Sequence, residues 1–272
     1  MAFRRGYRKY NKRRGVRRGA RRAGLRRKTV SKSVRRYVKN AIHKQIENKE
    51  IIDYFSNQTL QTLSSGTNTG VSCRQLLPLP AQGTAANQRI GNQLRVVSGI
   101  IKGHINLKPY DVMTNPLGTP LLVRMILFRD LVTAGTQAIS GGSLTSYFDN
   151  FFKGNGANIP FQGNPLDMSF PINSDNFRVL ASKQFKIGAA TATATGPVGT
   201  GGYFDNSPMS VPFYFNWGKW CKKVLKYDDT YAYPMNCNCY LVCQVVRADG
   251  TSSGSYQMAE WHAVNHIKFE DA

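Results

Sequence analysis

The sequence predicts an all-β protein, with two antiparallel sheets packed face to face or a jelly roll, behind a basic segment and one short helix. Three observations carry this. The charge is lopsided, the apolar spacing changes from helical to alternating near Glu50, and eight alternating segments follow in the remaining chain.

The 272 residues hold 37 Lys+Arg against 15 Asp+Glu, a formal net charge of +22. Residues 1–46 contain 19 of the basic side chains and none of the acidic ones, which leaves 18 against 15, or +3, for the rest. The chain is therefore a cationic tail on a nearly neutral body. Residues 1–30 begin MAFRRGYRKYNKRRGVRRGARRAGLRRK. Too few apolar groups offset the entropy of ordering them, and their charges repel, so a disordered arm is expected.

Arginine and lysine at this density neutralise phosphates and release counterions, which gives salt-sensitive binding with no sequence code. The candidate nucleic-acid residues are Arg4, Arg5, Arg8, Lys9, Lys12, Arg13, Arg14, Arg17, Arg18, Arg21, Arg22, Arg26, Arg27 and Lys28, joined by Arg35 and Arg36. Phe3, Tyr7 and Tyr10 add rings for base stacking. The run also suits a nuclear localisation signal. A membrane contact would want an apolar anchor and a mitochondrial transit peptide an interleaved apolar face, and residues 1–28 have neither. No secretory pattern is expected, and membrane insertion is not, since the best apolar run, Leu121 to Phe128, is interrupted by Arg124. The sequon Asn57-Gln58-Thr59 then has little meaning.

Residues 31–48 read as an amphipathic helix. Val30, Val34, Tyr37, Val38, Ala41, Ile42 and Ile46 recur at helical spacing, with Arg35, Arg36, Lys39 and Lys44 between them. Thr29 or Ser31 is placed to cap it. Its apolar stripe must pack on the body or on neighbouring copies.

Residues 49–272 form the predicted β body, large enough to bury a core without metals or disulfides. The strand candidates are IIDYFSNQTL, RVVSGIIKGHINL, PLLVRMILFRD, NFRVLASKQFKI, VPFYFNW, KKVLKY, CNCYLVCQV and EWHAVNHIKFE. In the fourth, Phe177, Val179, Ala181, Phe185 and Ile187 share a face; in the last, Trp261, Ala263, Ile267 and Phe269 oppose His262, His266 and Lys268. Such alternation marks half-buried antiparallel strands. Long connections at 61–92, 131–176 and 188–208 are rich in Gly, Thr, Ser, Asn and Pro, and a short helix is expected at 143–152.

Enzymatic signatures are absent. No P-loop, GxSxG, HExxH or EF-hand pattern occurs, and the Gly-rich GPVGTGGYF lies between strands rather than before a helix. The five cysteines are odd in number with no regular framework, so reduced thiols are expected. Cys237, Cys239 and Cys243 share a face with Leu241 and Val245, which favours core packing over zinc. His262 and His266 project together, as metal ligands or pH-responsive groups or, more simply, as a polar outer face. One basic cluster in the body, Lys219, Lys222 and Lys223 beside Trp220, offers a second nucleic-acid contact, against the simpler reading of a solvated hairpin with Trp217 in the core. No cofactor and no metal are expected, and the chain is not read as an enzyme.

The order of these features resembles the capsid proteins of small circular Rep-encoding single-stranded DNA viruses, circovirus-like in size. It is similar also to the single jelly-roll shells of small satellite RNA viruses. QRIGNQLRVVSGIIKGHINL, LLVRMILFRD, NFRVLASKQFKI and the closing NCNCYLVCQV and AVNHIKFEDA carry the likeness, together with the Arg-rich start. The resemblance implies a single eight-stranded jelly roll with strand B at 50–60, C at 94–107, D at 121–130, E at 177–187, F at 209–217, G at 222–227, H at 238–247 and I at 260–269. It implies a homo-oligomeric icosahedral shell of sixty subunits (T=1), with the arm inside on single-stranded DNA. It further implies a host receptor and nuclear import factors as partners, and a place in the virion and the host nucleus. A cellular ribosomal or chromatin protein with a β-sandwich body is the alternative, although such a body would itself carry a basic face. A cupin-like or lectin-like jelly roll is disfavoured by the lack of a His/Glu metal cluster.

Overall fold

A computed structural model describes residues 31–45, 48–61, 72–77, 80–85, 87–108, 120–131, 150–188, 210–221, 224–228, 234–248, 250 and 257–271. The arm, and most of the helix expected at 143–152, lie outside them. The chain divides after Gln45 into two units.

In the first unit, helix α1 spans Lys32–Gln45, close to the 31–48 read from the sequence. Ser31 is the cap: its Oγ accepts the Val34 N–H at 3.3 Å, which satisfies one of the donors that a helix start leaves over.

The second unit is the β body. Its strands are β1 (Lys49–Gln61), β2 (Cys73–Gln75), β3 (Gln93–Leu107), β4 (Leu121–Asp130), β5 (Phe152–Lys153), β6 (Asn158–Ile159), β7 (Phe177–Ile187), β8 (Ser210–Phe215), β9 (Val224–Lys226), β10 (Tyr240–Arg247) and β11 (Gln257–Asp271). One sheet runs β1-β11-β3-β8, with β9 also on β3, and the other runs β2-β10-β4-β7. Every pairing within these two sheets is antiparallel. First pairs with last, second with next to last, and so inward to β4 with β7, while β1, β2, β3 and β4 alternate between the two sheets. That winding is a jelly roll.

The strand letters change accordingly. The three-residue β2 is strand C, hidden in the expected loop at 61–92 because it is too short to show alternation. Residues 94–107 are therefore D, 121–130 are E and 177–187 are F. The segments expected as F and G, 209–217 and 222–227, are two halves of one strand G, since β8 and β9 both pair with β3. A short 3-10 turn at Trp217–Lys219 interrupts it.

The inner faces meet in one apolar core. Leu94, Ile101, Ile105, Trp261, Ile267 and Phe269 come from the first sheet, and Val123, Met125, Leu127, Leu241, Cys243 and Val245 from the second. Asn265 is a buried polar link across it. Its Oδ1 accepts the Trp217 Nε1–H at 2.8 Å, and its Nδ2–H donates to the Leu76 carbonyl, just past β2, at 3.0 Å. Gly99 lets the indole of Trp217 lie against β3, because a Cβ there would fall 2.5 Å from the ring.

A second cluster covers the outer face of the other sheet. Ile126, Phe128, Tyr240 and Val242 pack with Phe151, Phe152 and Phe161 of the 150–176 segment and with Phe177. Strand β7 therefore departs from the expected single face. A bulge opposite Leu127 and Phe128 sends Phe177 outward into this cluster, leaves Val179 40% exposed, and returns Phe185 and Ile187 to the central core. At the end of the helix expected over 143–152, of which only 150–152 are described, Phe152 instead opens the short strand Phe152–Lys153, paired with β6.

The same segment is pinned by charge. Asp167 is buried and accepts the Gln162 and Gly163 N–H groups at 2.9 and 2.8 Å. Arg124 of β4 donates to the Asp167 carbonyl at 3.1 Å. Burial raises the Asp167 pKa above the usual carboxylate range, against the pull of these backbone donors.

Candidate nucleic-acid interface

Of the sequence-predicted binding residues, Arg35 and Arg36 are described, and both are exposed on α1. Arg4 through Lys28 lie outside the described residues. On the same helix Val34, Tyr37 and Val38 are also exposed, Tyr37 at 76%, so an apolar stripe and a basic one both face outward.

The basic cluster between β8 and β9 separates into two parts. Trp217 is fully buried and bound to Asn265, but the segment is not the hairpin expected there, since β8 and β9 both pair with β3 rather than with each other. Lys219 is exposed and Trp220 is half exposed, while Lys222 and Lys223 lie outside the described residues. A lysine beside an accessible indole remains available to a nucleotide, but the two tryptophans do not act together.

The cysteines form no disulfide and are buried. Cys221 and Cys237 bring their sulfurs to 3.4 Å as a thiol hydrogen bond, and Cys237, Cys239 and Cys243 face the central core. Burial pushes the Cys73 thiol up to about 12 and raises Cys239 and Cys243 as well. Thiols so placed are inert packing groups. Among the described residues no group of three His, Cys, Asp or Glu side chains is arranged to hold a metal. His262 and His266 point outward and are engaged separately: His262 Nδ1 accepts the Asn57 N–H at 3.1 Å, and His266 Nε2 lies 3.1 Å from Glu50.

Sequence reasoning missed the arrangement of the first sheet's outer face. In register across four strands stand Tyr54 of β1, Val264 of β11, Lys102 of β3 and Tyr214 of β8. Directly opposed residues share a face. Tyr54 is 74% exposed, Tyr214 49% and Val264 37%, and Lys102 is exposed. The out-facing positions of each strand were legible from alternation, but the row depends on the register between strands far apart in sequence.

Fold and appendage together define a class: a jelly-roll sandwich preceded by a short amphipathic helix and a strongly basic segment. No protein-family model matches the chain, and no curated protein sequence does. A solved structure described as Desmodium yellow mottle tymovirus is similar to it, with 11% sequence identity and a TM-score of 0.32 over 83% of this chain and 89% of that one.

Proposed function

We propose that the chain is a viral capsid protein that assembles into a small icosahedral shell of sixty copies and packages a circular single-stranded DNA genome through its basic arm. The observation that carries this reading is the division of charge on a jelly roll. Nineteen basic residues and no acidic one precede a body of net +3. A closed shell needs a rigid, nearly neutral tile and a separate cationic tether for its cargo, and the chain supplies both. Sixty copies of residues 1–46, at +19 each, would bring on the order of 1,100 positive charges, enough to offset about half the phosphates of a genome of ~2,000 nucleotides. The role is structural rather than catalytic, with the virion as its place and the arm serving also for nuclear import.

Size-exclusion chromatography with electron microscopy tests the assembly. Sixty chains of 30.4 kDa make a particle of roughly 1.8 MDa. Deleting residues 1–28 should abolish nucleic-acid packaging and leave the β-rich circular dichroism unchanged. Nuclease digestion of the particle contents separates DNA from RNA. A chain that stays monomeric or dimeric under all assembly conditions defeats the proposal.

A further inference from the structure

We propose that the outer face of the first sheet is a second nucleic-acid surface, on which bases of a single strand stack against Tyr54 and Tyr214 while Lys102 between them meets a phosphate. This rests on the nucleic-acid reading above and adds a site in the body to the one in the arm.

The sandwich treats its two outer faces differently. That of the second sheet is buried under the phenylalanines of the 150–176 segment. That of the first leaves Ile52, Tyr54, Tyr214 and Val264 exposed. Exposed aromatic and apolar groups gathered on one face of a soluble domain mark a contact surface. Two tyrosines three strand spacings apart stand roughly 14 Å from each other. The cation and the apolar Val264 lie between them, which is the stacking-plus-charge pattern that holds single strands without reading sequence.

Charge selects nucleic acid as the occupant. Lys102 stands exposed in the row and forms no ion pair with another described residue. Lys268 and Lys108 lie on the same face, where the acids are already engaged: Glu50 with His266 and Lys268 at 3.1 and 3.9 Å, and Glu260 with Lys108 at 3.0 Å. A polyanion gains from the cation left over.

The test uses the full chain and a fluorescent oligo(dT), with binding followed by anisotropy as salt is raised. Arm binding falls steeply with salt, so the stacking contribution is read at the high-salt end. Tyr54→Ala and Tyr214→Ala should each weaken high-salt binding by about tenfold without changing the salt slope, and Tyr→Phe at either position should restore it. Replacing Arg4, Arg5 and Arg8 by Ala should instead flatten the slope. Photocrosslinking to bromodeoxyuridine should label Tyr54 or Tyr214. Wild-type affinity in the Tyr→Ala variants, or crosslinks confined to residues 1–46, would overturn the inference and leave the arm's role intact. Loss of particle assembly with DNA binding unchanged would also overturn it, assigning the face to a second copy of the chain. Failure of the wild-type chain to bind DNA at any salt would defeat both readings.

Discussion

Replacing Asn265 by Ala tests whether the two sheets are joined by a polar link as well as by apolar packing. The substitution removes the acceptor of the Trp217 indole N–H and the donor to the Leu76 carbonyl. Trp217 is 0% and Leu76 1% exposed, so water is poorly placed to replace either bond. A buried group left without a partner costs about 1–3 kcal/mol. Two such groups give about 2–6 kcal/mol, and a loss near 3 kcal/mol is expected. In urea, with a slope of about 2–3 kcal/mol per molar, the midpoint followed by far-UV circular dichroism should fall by about 1 M. Asn265→Leu is the control, because it restores most of the volume and neither bond. It should remain clearly less stable than the wild type. Full stability in the Leu variant would refute the reasoning and reduce Asn265 to a space-filling residue.

Two further outcomes follow from the buried charges and thiols. Asp167→Ala leaves the Gln162 and Gly163 donors unsatisfied and removes the charge beside Arg124; a loss of about 2–3 kcal/mol and earlier proteolytic cleavage within 150–176 should be seen, while the β-rich spectrum persists. The native cysteines should not react with Ellman's reagent at pH 8, and all five should react in denaturant. Because burial raises the Cys73 pKa from 9.0 to about 12, the unfolded thiol ionises first. Its contribution to stability is complete below pH 9 and is lost as pH rises through about 12, with a slope of about 1.4 kcal/mol per pH unit in between. The urea midpoint measured from pH 8 to 11 checks the sign.

Alternation alone located β8, β10 and β11 and put the right side chains inward, as Phe213, Leu241 and Trp261 show. It failed where the backbone departs from a plain two-residue repeat. In β7 the bulge beside Leu127 and Phe128 exchanges faces partway along, so Phe177 and Phe185 serve different cores. Strand β2 has three residues, fewer than any periodic test can use. The split of strand G between β8 and β9 reflects Trp217 folding inward over Gly99, a tertiary event with no local signature. The aromatic crowding at Phe151, Phe152, Phe161 and Phe170 was a visible hint that the long connection holds a core of its own. Of the candidate interface, the arm is proposed from composition alone, because phosphate neutralisation needs charge and no geometry, and it lies outside the described residues. The row from Tyr54 to Tyr214 was not legible in the sequence, because it exists only after β1, β11, β3 and β8 have taken their register.

The same distinction explains why one chain can carry +22 and still close a compact sandwich. Four cations of the body are engaged with acids close by: Lys49 with Asp271 at 2.8 Å, Arg95 with Glu270 at 2.9 Å, Lys108 with Glu260 at 3.0 Å and Lys153 with Asp175 at 3.2 Å. Several of these ties join the ends of strands, so the cations there are structural before they are anything else. The 19 cations of residues 1–46 have no acid in their own segment. On the proposed function a polyphosphate would compensate them, with a gain of released counterions. Charge held in such a segment can be raised or lowered without disturbing the pairs that close the sandwich. On the proposed function, cargo binding and fold stability would be separable properties of one chain, and the Tyr54 and Tyr214 face is where they would meet.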